Sequence, residues 1–190
     1  MFGPSHYVPI LRWKQAERFA LRYLHEEDRK RITPLIELTP QTFKSRKTAE
    51  RVSTPLDPAQ VIHQEAKKLL ESCANFPFFL DLRHVAVDVV RTRGKVHAFE
   101  YFAEVGRSYK LALVPVTGLS RTKEYQASVA TIVKDDKRGI CLRLTPAEII
   151  DASFASHIRA LLKSLRLTED AVHLLVEYMR MKRSGTATQS

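Results

Sequence analysis

Pro34-Leu35-Ile36-Glu37-Leu38-Thr39-Pro40 is an apolar run with one carboxylate near its C-terminal end and a proline directly after it. A run that is apolar on both faces reads as a strand covered on both sides, the pattern of a parallel sheet. Similar runs recur at residues 7–13, 76–83, 111–119, 139–144 and 172–179, each with a charged or hydroxyl residue among its last three positions. If these strands lie in parallel, their polar ends share one rim.

Between the runs the apolar period lengthens. Ala16, Phe19, Ala20, Tyr23 and Leu24 recur at helical spacing, while Glu17, Arg18, Arg22 and Glu26 occupy the other face, which predicts a helix over 14–31. Asp57 before Pro58 is an N-cap followed by proline at the first helical position, and Val61, Ile62, Ala66, Leu69 and Leu70 form one apolar face of a helix over 58–74. Further helices are expected over 96–109, 125–134 and 154–165. Residues 39–57 read as a long, basic, proline-containing loop, and 84–95 as either a strand or a helical turn. Residues 1–179 are expected to form a single α/β domain, and 180–190 a basic, then small and polar, disordered tail.

Strand starts near residues 7, 32, 76, 111, 139 and 172 give six βα repeats. An eight-stranded βα barrel uses about 31 residues per unit, which favours a TIM-barrel-like winding that is incomplete, with about six parallel strands. The alternative is an open, doubly wound parallel sheet. Its first strand normally leads into a glycine-rich phosphate turn, whereas Arg12-Trp13-Lys14-Gln15 contains no glycine. Six units leave two strand edges open, and neither the first nor the last strand carries an inward charge or a proline cluster to blunt it. The expectation is a truncated barrel, or self-association or a partner covering the edges.

The composition, 44% hydrophobic and 27% charged, is that of a globular chain. No apolar run reaches the roughly 18 residues of a membrane span, and the N-terminus lacks a signal-peptide pattern, so no membrane role and a cytoplasmic location are expected. Cys73 and Cys141 read as buried free thiols. The formal charge of +10 arises from 31 basic and 21 acidic residues, and basic clusters at 29–31, 44–47, 91–95 and 180–183 fall in four separate connections. This is compatible with a scattered basic surface or with contact to an anionic ligand or nucleic acid.

Tyr7-Val8-Pro9-Ile10-Leu11-Arg12-Trp13-Lys14-Gln15-Ala16-Glu17, with Ala20-Leu21 and Ile32-Thr33-Pro34-Leu35-Ile36-Glu37, resembles the N-terminus of the phage-associated "beta family protein" group. The resemblance is strongest over residues 7–40. It implies a phage or prophage setting and members longer than this chain, and it brings no established activity.

Functional groups of βα folds stand at the C-terminal ends of the strands. Those ends here supply Glu37, Asp81 and Glu177 as candidate catalytic carboxylates, and Lys14, Arg83, Arg143 and Thr117 as candidate ligand-binding groups. Carboxylates beside cations can hold a divalent metal through oxygen, with Glu37 and Asp81 the natural ligands, and a phosphate through the arginines. That set is what a metal-assisted phosphodiesterase needs. The competing reading is a set of ion pairs filling a polar barrel mouth, in a binding or accessory protein. The seven histidines show no zinc spacing, with only His84 close behind a strand end. Trp13, Phe43 and Tyr178 could stack on a base, although packing is the commoner role for such residues.

Overall fold

In the computed structural model, residues 5–43, 57–74, 76–85 and 96–178 are described. Six parallel strands, β1 (Ile10–Leu11), β2 (Leu35–Glu37), β3 (Phe78–Asp81), β4 (Leu113–Thr117), β5 (Ile140–Leu144) and β6 (Val172–Val176), pair in sequence order. The sheet is curled into a half-barrel. A doubly wound sheet reverses its strand order at a switch point, and the unbroken order 1 to 6 rules that alternative out. Every predicted strand is present, most of them shorter than the apolar run that announced it.

Between the strands lie α1 (Gln15–Arg22), α2 (Glu26–Arg29), α3 (Pro58–Cys73), α4 (Ala98–Ser108), α5 (Lys123–Asp136), α6 (Pro146–Ile149) and α7 (Phe154–Leu165). The single helix predicted over 14–31 is broken. The Arg29 side chain folds back on the end of α1 and donates to the carbonyls of Leu21, Arg22 and Leu24, satisfying groups that a continuing helix would have used. Asp57 caps α3 as its sequence position predicts, accepting from the Ala59 N–H at 3.0 Å. Only a short 3-10 turn, Pro40–Phe43, is described from the first part of the 39–57 loop. Residues 86–95 of the ambiguous segment 84–95, the tail 180–190 and the basic clusters at 44–47, 91–95 and 180–183 lie outside the described residues.

The pleat sorts the side chains. Ile36, Leu38, Phe78, Leu80, Leu113, Ile140, Leu142 and Leu144 face the helices and merge with Ile62, Leu69, Phe99, Phe102 and Ile132 into the main core. Leu35, Phe79, Val114, Val116 and Cys141 form a smaller cluster on the concave face, with no helical residue in it. Burying each of these large side chains contributes roughly 1.5–3 kcal/mol. Phe43 and Trp13 belong to the main core at 6% exposure each, so packing is their role, whereas Tyr178 is exposed.

Glycine is required where β5 begins. Gly139 has φ +70°, and a Cβ there would stand 2.0 Å from the Ala171 carbonyl oxygen, which no other residue could accommodate.

Among the described residues β1 pairs only with β2, and β6 only with β5. The β1 edge is two residues long, a length that itself limits pairing with another chain. The β6 edge runs for five residues, and Leu174 and Val176 on its helix-side face are exposed.

Candidate functional site

Alternation along the strands, not any local motif, assembles the site. Leu35 and Glu37, Phe79 and Asp81, and Cys141 and Arg143 are successive concave-facing positions, so an apolar layer is followed at the C-terminal rim by a charged one. The register places Glu37 beside Asp81. Arg143 comes from β5, and Glu177, directly after β6, is tied to β5 by its own N–H donating to the Leu144 carbonyl at 2.8 Å.

Arg143 is the centre of the arrangement. Its Nη1 donates to Glu37 Oε1 at 2.6 Å and to Asp81 Oδ2 at 2.9 Å, while Nε donates to Glu177 Oε2 at 3.0 Å and Nη2 lies 2.8 Å from Glu177 Oε1. The Arg143 side chain is 2% exposed. Such burial disfavours a charge, but the hydrogen bonds it donates to Glu177 and Glu37 and the nearby carboxylate charges raise its pKa, so the guanidinium is permanently charged.

Arg83 closes the ring nearer the surface, with Nη2 3.0 Å from Glu37 Oε1 and Nη1 3.1 Å from Glu177 Oε2. A single guanidinium thus spans from the end of β2 to the end of β6, which the curl of the sheet makes possible. Its backbone N–H donates to Asp81 Oδ1 at 2.9 Å. Three carboxylates therefore meet three guanidiniums, the third being Arg121, whose Nη2 lies 3.2 Å from Asp81 Oδ2.

Sequence reasoning placed Glu37, Asp81, Arg83, Arg143 and Glu177 at the rim, and the structure brings these five together. Two candidates stand apart from the ion-pair cluster. Thr117 is buried, and its hydroxyl donates to Gln126 Oε1 at 2.9 Å. Lys14 is exposed at the start of α1, where its backbone N–H donates to the Glu17 carboxylate at 2.7 Å. Helix-start geometry, not the rim, sets its position.

Two participants, Arg121 and Tyr125, were missed, and His84, marked in the sequence only by its place behind a strand end, is a third. Arg121 lies in the turn after β4, beyond the strand end proper. Gly118 is the available signal for it, because a Cβ there would stand 2.8 Å from the Arg143 carbonyl oxygen, so the turn packs tightly on β5. Tyr125, in the first turn of α5, points back beneath the cluster, donating from its hydroxyl to the Val116 carbonyl at 2.9 Å and accepting from the Leu82 N–H at 3.4 Å. Burial, and then the Asp81 charge, push its pKa up, so the phenol stays protonated. His84 accepts from Arg83 Nε at 3.0 Å and is half-exposed.

A divalent ion does not fit these residues as they stand. The Arg143 guanidinium fills the place between Glu37 and Asp81 that a cation bridging them would take. Among the described residues no group of three His, Cys, Asp or Glu side chains is arranged to hold a metal. The two cysteines are buried and free, and burial raises each thiol pKa to about 12, which keeps them as unreactive thiols.

Glu177 gives the site a pH dependence. Burial opposes its ionisation, but hydrogen bonds from Arg143 and Arg83 outweigh that and hold its pKa below the ordinary 4.5. As pH falls, the unfolded chain takes up this proton before the folded one does. The stability that Glu177 contributes is therefore complete above its ordinary pKa and is lost as pH falls from there through the lowered folded value. Urea titrations in this acidic range are expected to give a shallower loss of stability with falling pH for Glu177→Gln than for the unaltered protein.

Among the described residues no helix is long and apolar enough to cross a membrane. Comparison with curated proteins and with solved structures returns no match. The family model described as Beta protein matches residues 7–189, extending well beyond the N-terminal 40 residues that carry the resemblance in the sequence. With nearly its whole length matched, the chain belongs to the Beta protein family.

Proposed function

We propose that this Beta-family chain is a binding protein that takes an anionic ligand at the C-terminal rim of its half-barrel and performs no chemistry on it, in the phage or prophage setting that the family resemblance implies. The observation that carries this reading is the position of Arg143. By donating to both Glu37 and Asp81 it engages the carboxylates that a general base or a metal centre would need free. Arg83, Arg121 and His84 keep part of their surface open to solvent at the same rim, at 22%, 14% and 47% exposure. Partly exposed guanidiniums above a neutralised floor suit recognition of an incoming anion.

Calorimetric titration with tripolyphosphate and with a single-stranded DNA oligonucleotide tests the reading. Salt-sensitive binding is expected, weakened at least tenfold in an Arg83→Ala/Arg121→Ala variant whose circular dichroism is unchanged, a loss of about 1.4 kcal/mol or more. Equal binding by that variant would remove the rim as the site. The metal-assisted hydrolase is tested in parallel with bis(p-nitrophenyl) phosphate plus magnesium or manganese. Turnover that disappears in Glu37→Gln/Asp81→Asn would replace the binding reading with the hydrolase.

A further inference from the structure

Glu177 differs from the other two carboxylates of the cluster. Glu37 and Asp81 are almost wholly buried, at 4% and 0% exposure, and are fixed within strands. Glu177 follows the last residue of the edge strand, and its side chain is 19% exposed. Its carboxylate lies side-on to Arg143, opposite both Nε and Nη2, and is capped by Arg83 Nη1. A side-on guanidinium edge with a second guanidinium above it is a two-arginine anion seat, and carboxylate and phosphate oxygens match it equally well.

We propose that this Arg83–Arg143 seat receives a phosphate group of the ligand, and that Glu177 is a tethered competitor which the phosphate displaces. The inference rests on the reading of the rim as an anion-binding site and names the atoms that would do the binding. With Glu177 in place, three carboxylates balance Arg83, Arg121 and Arg143. With Glu177 swung out, the cluster carries one net positive charge. An incoming monocarboxylate would only restore the balance that Glu177 already provides, whereas a phosphate dianion brings a further charge to face Arg83, Arg121 and the neighbouring His84. Glutamate reaches the seat from the surface, so rotation about its side-chain torsions returns its carboxylate to water. Glu37 and Asp81 have no such exit.

A seat occupied by its own glutamate nine-tenths of the time would bind an external anion about tenfold more weakly than the same seat left open. Glu177→Gln and Glu177→Ala open it in two ways, the first preserving volume and the second removing any residual hydrogen bond to Arg143. Inorganic phosphate is the probe, read by thermal shift and by calorimetry, with chloride at matched ionic strength as the control and acetate as the carboxylate arm. The expected result is phosphate binding about tenfold tighter in both variants than in the unaltered protein, returning to or below the original affinity when Arg83→Ala is added, with a smaller response to acetate.

Phosphate affinity unchanged or weakened in both Glu177 variants would overturn the proposal. So would an acetate response equal to that of phosphate, which would make the seat a general anion site. If tripolyphosphate or DNA binds through Arg83 and Arg121 while the Glu177 variants gain nothing for phosphate, the seat is wrong and the rim reading stands. If no anion binds any of these proteins, both fail.

Discussion

Replacing Arg143 with alanine is expected to lower the stability of the protein by about 3–5 kcal/mol, the cost of breaking a buried ion pair by removing one partner. The guanidinium contacts Glu37, Asp81 and Glu177, and the first two lie at the bottom of the rim where water does not reach them. Glu37 would keep Arg83, and Asp81 would keep Arg121 and the Arg83 backbone N–H, so the loss is partial for each. Neither remaining guanidinium enters the space between the two carboxylates. For a chain of this length, a loss of this size lowers the melting temperature by about 10 °C.

The decisive comparison is with the triple variant Glu37→Met/Asp81→Val/Arg143→Met. Exchanging an entire buried ionic cluster for apolar groups is often neutral or stabilising, because no charge is left buried without a partner. Arg83 keeps Glu177 in that variant, and Arg121, which loses Asp81, reaches solvent and can hydrate. Urea unfolding followed by circular dichroism should therefore rank the triple variant above Arg143→Ala. The reverse order would mean that the ion pairs themselves stabilise the fold, which would weaken the case that the cluster is kept for binding.

The strand framework was legible because each strand is an apolar run of five or so residues between polar connections, and burial on both faces leaves that mark on composition alone. Phe78-Phe79-Leu80-Asp81 and Ile140-Cys141-Leu142-Arg143-Leu144 needed no partner to be recognised. The rim followed from the same pattern, since a charge at the last concave position of a buried strand must meet others of its kind. What remained hidden depends on side chains that reach across the fold. Arg29 ends α1 by bonding its carbonyls, which helical periodicity does not encode. Tyr125 reaches the site from a helix whose register favours the core, and Arg121 from a turn where no strand end advertises it. Lys14 stays out of the ion-pair cluster for a different reason. It follows a strand closely in sequence, but the chain turns sharply at Trp13 and leaves Lys14 as the N-cap of α1.

That turn at Trp13 is the second place where a single substitution is expected to have a large effect. Trp13 is the only tryptophan of the chain, and its φ of +58° lies in the left-handed region that side chains with a Cβ rarely adopt. The strained backbone directs the indole into the core, where Nε1–H donates to Glu65 Oε2 at 2.8 Å across to α3. Glu65 is itself buried and is otherwise held by Lys68. Trp13→Ala would leave a cavity and take the indole donor from a buried carboxylate, with an expected loss of about 3–5 kcal/mol. Trp13→Phe keeps most of the volume and loses only the hydrogen bond to the charged group, so about 1.5–3 kcal/mol is expected. Glycine tests the backbone separately. It removes at least as much packing as alanine but relieves a left-handed conformation that costs roughly 1–2 kcal/mol for any residue with a Cβ. Trp13→Gly should therefore unfold at a urea concentration no lower than Trp13→Ala, the reverse of the usual order for these two residues in a regular element. If glycine proves the less stable of the two, the left-handed turn costs little, and the indole and its bond to Glu65 are not what hold the chain in it.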